Sequence, residues 1–338
     1  MIDLVAEQAP LGGLERWLRD PTVNEVMVNG GTDVWVERGG QLQCVGHIRP
    51  GTLLGVIEHI LAPVGRRLDR THPTVDARLA DGSRLCAVVP PVAVDGPCLT
   101  IRRFSAQPMP LARFAGPAVS DLLCELVHRR CNLLVSGATS SGKTTLLNAL
   151  AGEVEPHARL ITLEDVAELR LTHEHVVRLE TRDATPDGVG EITLAHLLRT
   201  ALRMRPDRLV VGEIRGNEAV HLLQALNTGH DGSLATVHAN SAIDALERLA
   251  SLVLQEVGNW PLPAVHQHVA RAIDAVVHLA RLPDGTRCVA EVVEVADVAE
   301  VEGTGTGAGT GTGTGTGFRV RPLADGHHVV AAARRGRR

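Results

Sequence analysis

The sequence predicts an α/β protein with two domains: an N-terminal mixed α/β domain built on an antiparallel sheet, and a C-terminal domain with a mainly parallel sheet. Three observations carry this prediction. A chain of 338 residues is longer than one hydrophobic core usually serves. Short β-rich runs with hairpin signals occupy the first part of the sequence, and strands alternate with helices from residue 118 onward.

The N-terminal domain is predicted over residues 1–104. The dipeptides Gly39-Gly40 and Asp81-Gly82 are typical of hairpin turns, and the second suits a type I′ turn. A helix is predicted over residues 52–68, where apolar residues recur three and four positions apart. Extended runs on either side of these features are predicted at residues 25–30, 33–42, 77–89 and 98–104.

A linker is predicted over residues 105–117, because this segment has three prolines and little periodicity. The second domain follows over residues 118–302. Parallel strands joined by helices bind ligands at the carboxyl ends of the strands, so the site is expected at that edge of the sheet. Helices are predicted over residues 120–130, 143–154, 194–204 and 218–226, and strands over residues 132–137, 158–165, 208–214 and 233–239.

The last part of the sequence has an unusual composition. Residues 303–317 alternate glycine with threonine or alanine and cannot bury a core, so this segment is expected to be disordered. Residues 318–338 are predicted to form a C-terminal strand and a basic tail. The end of the tail is expected to be frayed and solvated.

The composition excludes several classes of protein. A net charge of −5 lacks the basic footprint of a nucleic-acid-binding domain, so no nucleic-acid partner is expected. No apolar run reaches the about 20 residues that span a bilayer, and the N-terminus lacks the bases of a signal peptide. A cytoplasmic location is therefore expected.

Zinc is not expected either. The six cysteines form no Cys-x-x-Cys pair. The pairs His173/His175 and His266/His268 have no cysteine or acid partners at the spacing of a zinc site, so these histidines are predicted to be structural.

A phosphate-binding loop is the strongest motif. Residues Gly137–Thr145 read GATSSGKTT between a predicted strand and a predicted helix. The backbone N–H groups of such a loop and the helix N-terminus together attract phosphate. The pattern predicts that the loop binds the phosphates of a nucleotide, with the Thr144 hydroxyl on Mg²⁺. The predicted binding residues are Gly137, Ala138, Thr139, Ser140, Ser141, Gly142, Lys143, Thr144 and Thr145.

Lys143 is the one lysine of a sequence in which 34 residues are Lys or Arg. Its compact ammonium fits inside the loop, whereas the broad guanidinium of arginine does not. Since no other lysine is present, the sequence cannot contain the Asn-Lys-x-Asp motif by which common GTPases bind guanine. A GTPase of that kind is therefore not expected. A Schiff-base lysine for a PLP enzyme is excluded for the same reason.

Acidic residues and a histidine follow at the predicted ends of other strands. Hydrolysis of a phosphoanhydride needs a carboxylate that orients water, a second that helps to place Mg²⁺, and a group that senses the γ-phosphate. Glu164 and Asp165 end one strand, and Glu213 ends another, two residues before Arg215. His238 ends a third, so all four side chains are expected at the same edge of the sheet.

Together these segments resemble the secretion ATPases of type II and type IV systems, specifically the tight-adherence (Flp) pilus assembly branch. The likeness covers residues 10–300. It rests on the Walker A loop GATSSGKTT, the Asp box TLEDVAEL, the Walker B segment LRMRPDRLVVGEIRG and the His box NTGHDGSLATVHANS. The N-terminal segments DPTVNEVMVNG and LTIRRF are also similar.

The resemblance implies a RecA-like P-loop ATPase domain in a homohexamer that hydrolyses ATP with Mg²⁺. Such a motor powers pilus assembly or protein secretion through an inner-membrane platform protein, on the inner face of the cytoplasmic membrane. By analogy Glu213 positions the attacking water, Glu164 supports Mg²⁺ and His238 reports on the γ-phosphate. The family pattern also implies that N-terminal arginines reach the phosphates, namely Arg102, Arg103 and, less closely matched, Arg84.

One departure from the family pattern leaves alternatives open. Ser140 stands where the family usually has glycine, and a side chain at a position with positive φ costs on the order of 1 kcal/mol or more. This departure supports an alternative, an ATP-dependent scaffold with little turnover. A nucleic-acid-translocating RecA-like ATPase is a further alternative, which the net charge and the 2% aromatic content disfavour.

Overall fold

The computed structural model describes residues 11–103, 109–182, 184, 189–302 and 314–336. The chain divides into two compact units, Met1–Gln107 and Pro108–Arg338, and each is described by itself. No helix within the described residues is long and apolar enough to cross a membrane.

Among its described residues, the first unit has the helices α1 (Glu15–Arg19) and α2 (Thr52–Leu61). Its strands there are β1 (Glu25–Asn29), β2 (Asp33–Arg38), β3 (Gln41–His47), β4 (Thr74–Arg78), β5 (Arg84–Val88) and β6 (Cys98–Arg102). These six strands form an antiparallel sheet in the order β3-β2-β1-β6-β5-β4.

Alternation of apolar and polar residues places one face of this sheet in a core. Val26 and Val28 of β1 and Val34 of β2 are buried, and they pack with the apolar stripe of α2. The predicted helix over residues 52–68 ends early, at Leu61. Pro63 follows in a short 3₁₀ turn, and proline cannot donate the next helical hydrogen bond.

The second unit carries six helices among its described residues: α3 (Pro117–His128), α4 (Lys143–Gly152), α5 (Leu194–Ala201), α6 (Glu218–Asn227), α7 (Ala242–Glu256) and α8 (Leu262–Ala272). Its strands are β7 (Leu133–Gly137), β8 (Leu160–Glu164), β9 (Val176–Glu180), β10 (Arg208–Ile214), β11 (Leu234–His238), β12 (Ala275–Arg281), β13 (Arg287–Glu302), β14 (Thr314–Asp325) and β15 (His328–Val329).

These strands form one sheet in the order β15-β14-β13-β12-β7-β11-β10-β8-β9. The six strands from β12 to β9 are parallel, and β13, β14 and β15 extend the sheet as antiparallel strands. Two separate apolar clusters cover the two faces, and every residue of β7 is buried. The carboxyl ends of β7, β11, β10 and β8 therefore meet at one edge, as predicted.

The predicted linker over residues 105–117 is too long at its C-terminal end. Leu111, Phe114 and Ala115 are buried in the core of the second unit, and Pro117 already begins α3. The three prolines lead to the linker prediction, because they interrupt the helical periodicity of the segment. Its apolar side chains are nevertheless buried.

The glycine–threonine repeat is only partly described. Residues 303–313 lie outside the described residues, whereas Thr314–Gly317 begin β14 and pair with the last residues of β13. The expectation of disorder is thus corrected for these four residues. These four residues form a strand because their backbone pairs with β13, and backbone hydrogen bonds need no apolar side chain.

The C-terminal tail is not frayed up to Gly336. The backbone N–H groups of Arg334 and Arg335 each donate to Glu294 Oε1 at 2.6 Å, and Arg321 Nε donates to Glu294 Oε2 at 3.0 Å. Arg129 donates to the carbonyl oxygen of Ala333 at 2.8 Å. The sequence could not reveal this contact, because Glu294 lies 40 residues away from the tail in the chain.

Candidate functional site

The predicted loop lies where the sequence places it, between the end of β7 at Gly137 and the start of α4 at Lys143. Gly142 has a φ of 97° and precedes the helix. A Cβ atom on Gly137 would lie 2.5 Å from Ser141 Oγ and 2.7 Å from the Leu279 carbonyl oxygen. Both glycines are therefore required by the shape of the loop.

Ser140 adopts a φ of 61°, in the left-handed region. A side chain at this position is expected to be costly only where φ is positive, and the observed φ meets this condition. Serine is strained there by on the order of 1 kcal/mol relative to glycine. The loop nevertheless keeps its turn into α4.

Lys143 folds over the loop. Its Nζ donates to the carbonyl oxygens of Gly137 at 3.0 Å and Ala138 at 3.2 Å. Ser141 Oγ is buried beside them and has no hydrogen-bond partner among the described residues. The loop thus presents an ammonium group, a hydroxyl and the N-terminus of a ten-residue helix in one place.

Glu164 ends β8 and is 2% exposed. Its Oε2 accepts hydrogen bonds from the backbone N–H groups of Glu168 at 2.7 Å and Leu169 at 2.8 Å. Its Oε1 has no hydrogen-bond partner within the part of the chain that the structure describes. Burial raises the pKa of Glu164 to about 7, although the two amide hydrogen bonds act in the opposite direction.

Glu213 lies near the end of β10 and is held by Arg215, which donates to its Oε2 at 2.8 Å. Burial alone would raise the pKa of Glu213. The hydrogen bond and charge of Arg215, with the charges of Lys143 and His238, instead hold this pKa below its ordinary value. Arg215 also lies 3.8 Å from Asp165 Oδ2, so one guanidinium bridges Glu213 of β10 and Asp165, which follows β8.

His238 ends β11 directly beside the loop, since it pairs with Gly137 in the parallel ladder between β11 and β7. Its side chain is exposed. The structure therefore brings Lys143, Glu213 and His238 together at one edge of the sheet, with Glu164 and Asp165 at the end of the strand next to β10.

The predicted arginines of the first unit have different environments. Arg102 ends β6, is exposed, and lies opposite Arg84 in the ladder between β6 and β5. Arg103 donates to the carbonyl oxygen of Val23 at 3.1 Å and also to that of Asp20. Arg103 thus stabilises its own unit, whereas a phosphate contact of the exposed Arg102 stays a prediction.

The His-x-His pairs have partners within the protein. His173 Nε2 lies 3.0 Å from the Glu155 carbonyl oxygen, and His266 Nε2 lies 3.2 Å from Glu247 Oε2. His268 packs on the Trp260 ring, with 4.8 Å between the ring centroids. Over the residues that the structure describes, no group of three or more His, Cys, Asp or Glu side chains could hold a metal ion.

Two contacts at the loop are not predicted from the sequence. Ser136 Oγ, at the end of β7, lies 2.9 Å from Nδ1 of His278 in β12. The side chain of Arg287, at the start of β13, lies against Gly142. Neither contact has a local signal, because both depend on β12 being the neighbour of β7 in the sheet.

The fold and the loop define the class of the second unit: an α/β domain with a mainly parallel sheet and a glycine-rich loop that leads from β7 into α4. The chain belongs to the type II/IV secretion system protein family, whose model matches residues 7–321.

Similar proteins support this assignment. A protein of Mycobacterium tuberculosis (strain ATCC 25618 / H37Rv), provisionally named as a conjugal transfer protein, is 39% identical over 313 residues, which cover 89% of this chain and 88% of that protein. The type IV secretion system protein PtlH of Bordetella pertussis is 33% identical over 305 residues, 80% of this chain and 89% of its own.

Among solved structures, the pilus retraction motor PilT with bound ADP has a TM-score of 0.63 and 22% identity, covering 84% of this chain and 82% of that chain. This likeness concerns the fold. The α/β architecture with one antiparallel and one mainly parallel sheet, predicted from the sequence, is confirmed.

Proposed function

We propose that this protein is an ATPase that serves as the motor subunit of a secretion, conjugation or pilus machine. The observation that carries the proposal is the grouping of Lys143, Glu213 and His238 at the mouth of a phosphate loop. Lys143 and His238 lie close enough to lower the pKa of the Glu213 carboxyl. A loop that only bound an anion would need no ionised carboxylate at its rim.

Each residue then has a defined task. The loop amides and Lys143 bind the phosphates, and Lys143 exchanges the carbonyls of Gly137 and Ala138 for phosphate oxygens. Glu213, kept ionised by Arg215, accepts a hydrogen bond from the attacking water and orients it in line with the γ-phosphate. His238 contacts the γ-phosphate from β11. Arg102 is the candidate phosphate contact from the first unit.

The residues at the site fit Mg²⁺. Magnesium prefers oxygen ligands, and Thr144 offers a hydroxyl. Glu164 Oε1 is a buried oxygen that has no other hydrogen-bond partner in the described chain. When bound, the ion neutralises charge on the β- and γ-phosphates. Thr144 and Glu164 would hold it, Glu164 either directly or through water.

The assembly is proposed on family grounds. We infer a homohexamer on the inner face of the cytoplasmic membrane that acts on an inner-membrane platform protein, since the chain belongs to a family of secretion system proteins. The finer assignment to the tight-adherence pilus branch rests on the motifs alone. The relatives described above are named for conjugal transfer and type IV secretion.

ATP turnover by purified variants tests the proposal. We expect Lys143→Ala and Glu213→Gln to lower turnover by about 10²–10⁴-fold, because the first removes phosphate binding and the second removes the water-orienting carboxylate. Glu256→Gln is the matched control, since Glu256 is an exposed acid near the end of α7. Equal turnover in the wild-type protein, the two site variants and the control would refute ATP hydrolysis at this site.

The left-handed Ser140 favours a second candidate, a scaffold that binds ATP with little turnover. The same assay separates the two functions. A scaffold would bind ATP tightly and release phosphate no faster than the Lys143→Ala protein does.

A further inference from the structure

The sheet order gives the candidate nucleotide site two distinct sides. On one side of β7 lie β11 and β10, which supply His238 and Glu213. On the other side lie β12 and β13. Because Glu213 and His238 mark the γ-phosphate end under the proposed function, the α-phosphate and the nucleoside extend toward β12 and β13.

Arg287 stands on this second side, in contact with the loop. Measured from the position that a Cβ atom on Gly142 would take, Arg287 Cδ lies at 2.9 Å and Arg287 Nε at 3.7 Å. Phe114 Cε1 lies at 3.4 Å from the same point. The apolar stem of Arg287 therefore packs on the glycine that opens α4, and its charged end stays beside the loop.

A second arginine faces Arg287. Arg281, the last residue of β12, is the direct cross-strand partner of Arg287. Side chains at directly opposite positions share one face of the sheet about 4.5–5.5 Å apart, and like charges there are destabilising. A phosphate held by the loop beside these guanidinium groups is attracted by both charges.

We propose that Arg287, assisted by Arg281, binds the α-phosphate of the nucleotide held by the loop. This inference rests on the proposed function and adds a phosphate contact made within one chain, on the side opposite to the catalytic groups. Since ATP and ADP both carry an α-phosphate, Arg287 contributes equally to the binding of the two. It does not act on the γ-phosphate.

The test is equilibrium binding of ATP, ADP and inorganic tripolyphosphate to the full-length protein. Arg287→Met keeps an apolar stem on Gly142 and removes the charge. We expect it to weaken ATP and ADP binding by the same factor, about tenfold, as for loss of one charge-assisted hydrogen bond. The loss shrinks at high salt, because the contact is ionic.

Other variants make the test decisive. Arg287→Lys retains most of the affinity, and Arg281→Ala weakens both nucleotides by a smaller factor, about two- to threefold. Arg281 therefore gives a second readout if Arg287→Met folds poorly, as judged by thermal unfolding. Arg319→Ala, which removes an exposed arginine from β14 of the same sheet, is the matched control and should leave binding unchanged.

Three results would overturn the inference. Unchanged affinity in both the Arg287→Met and Arg281→Ala proteins would exclude the contact. Weakened ATP binding with unchanged ADP binding would place Arg287 at the γ-phosphate. Weakened ATP binding with unchanged tripolyphosphate binding would place it on the nucleoside. Failure of the proposed function looks different, because the wild-type protein would then bind no ATP, or would bind it as well as the Lys143→Ala protein does.

Discussion

Ser140 illustrates how one residue can strain a functional loop. Its φ of 61° is a conformation that glycine adopts without penalty and that a side chain resists. The strain is local, because Gly142 still leads into α4 at the expected residue.

We expect Ser140→Gly to leave stability unchanged or to raise the free energy of unfolding by up to about 1 kcal/mol, and Ser140→Val to lower it by about 1–2 kcal/mol. Urea unfolding measures both changes. Ser251→Gly, in the interior of α7, is the matched control and should lower stability by about 0.5–1 kcal/mol. A lower free energy of unfolding in the Ser140→Gly protein would show that Ser140 is not strained.

Arg215 sets the charge state of Glu213. In Arg215→Gln, burial remains and the main opposing charge is gone, so the pKa of Glu213 rises. A carboxylate with a raised pKa loses its charge at higher pH, so the acid limb of the pH profile of kcat/KM should move to higher pH. The pH dependence of ATP turnover measures this shift. An unmoved acid limb, together with a normal response of the Arg319→Gln control, would show that Glu213 is not the titrating group.

The identity of the site residues can be predicted from the sequence, whereas the contacts between their side chains are seen only in the structure. The order strand, glycine-rich loop and Lys143 is local, so it can be read directly from the sequence. The bridge from Arg215 to both Glu213 and Asp165 requires β10 to lie beside β8. Adjacency of strands that are far apart in the chain is set by the packing of the whole sheet, and no short motif encodes it.

Helices and strands are likewise predictable where their sequence signal is local. The strands β7, β8, β10 and β11 match their predicted segments within two residues, because each is an apolar run bounded by clear turn or helix signals. No element is predicted over residues 242–281, which contain α7, α8 and β12 in the structure. Helical periodicity is present in α7, where Ala242, Leu246 and Leu249 are buried, whereas the position of β12 beside β7 is not readable from its own sequence.

The docked tail depends on Glu294. Burial alone would raise the pKa of this carboxyl, but hydrogen bonds from the Arg334 and Arg335 amides and from Arg321 hold it below its ordinary value. A lowered folded-state pKa contributes stability that is present above the unfolded value, near about 4.3, and is lost as the pH falls through the folded value.

Glu294→Gln should therefore lower the free energy of unfolding at pH 7 by about 1–3 kcal/mol. The difference from the wild-type protein should shrink as the pH falls below about 4.3. Urea unfolding across pH 3–7 measures it, with Glu256→Gln as the control. A difference that is constant with pH would mean that the charge of Glu294 does not hold the tail.

The whole molecule consists of two units with separate cores. Leu85 lies in the core of the first unit and is 1% exposed, and Leu147 lies in the core of the second and is fully buried. Contacts inside each unit bury these side chains, so each core is expected to respond on its own to a cavity.

Calorimetry tests this independence. Leu85→Ala should lower the stability of one unfolding transition by about 2–5 kcal/mol, and Leu147→Ala should do so for the other. If both variants shift a single common transition, the two units unfold as one cooperative body.

Lys143 also makes the loop the single site of lysine-specific cleavage in this sequence. Endoproteases that cut only after lysine find one scissile bond in this sequence, between Lys143 and Thr144 at the start of α4. Any compound that fills the loop shields that bond. Cleavage into two fragments, followed by mass spectrometry, would thus report occupancy of the loop without a label or an engineered probe.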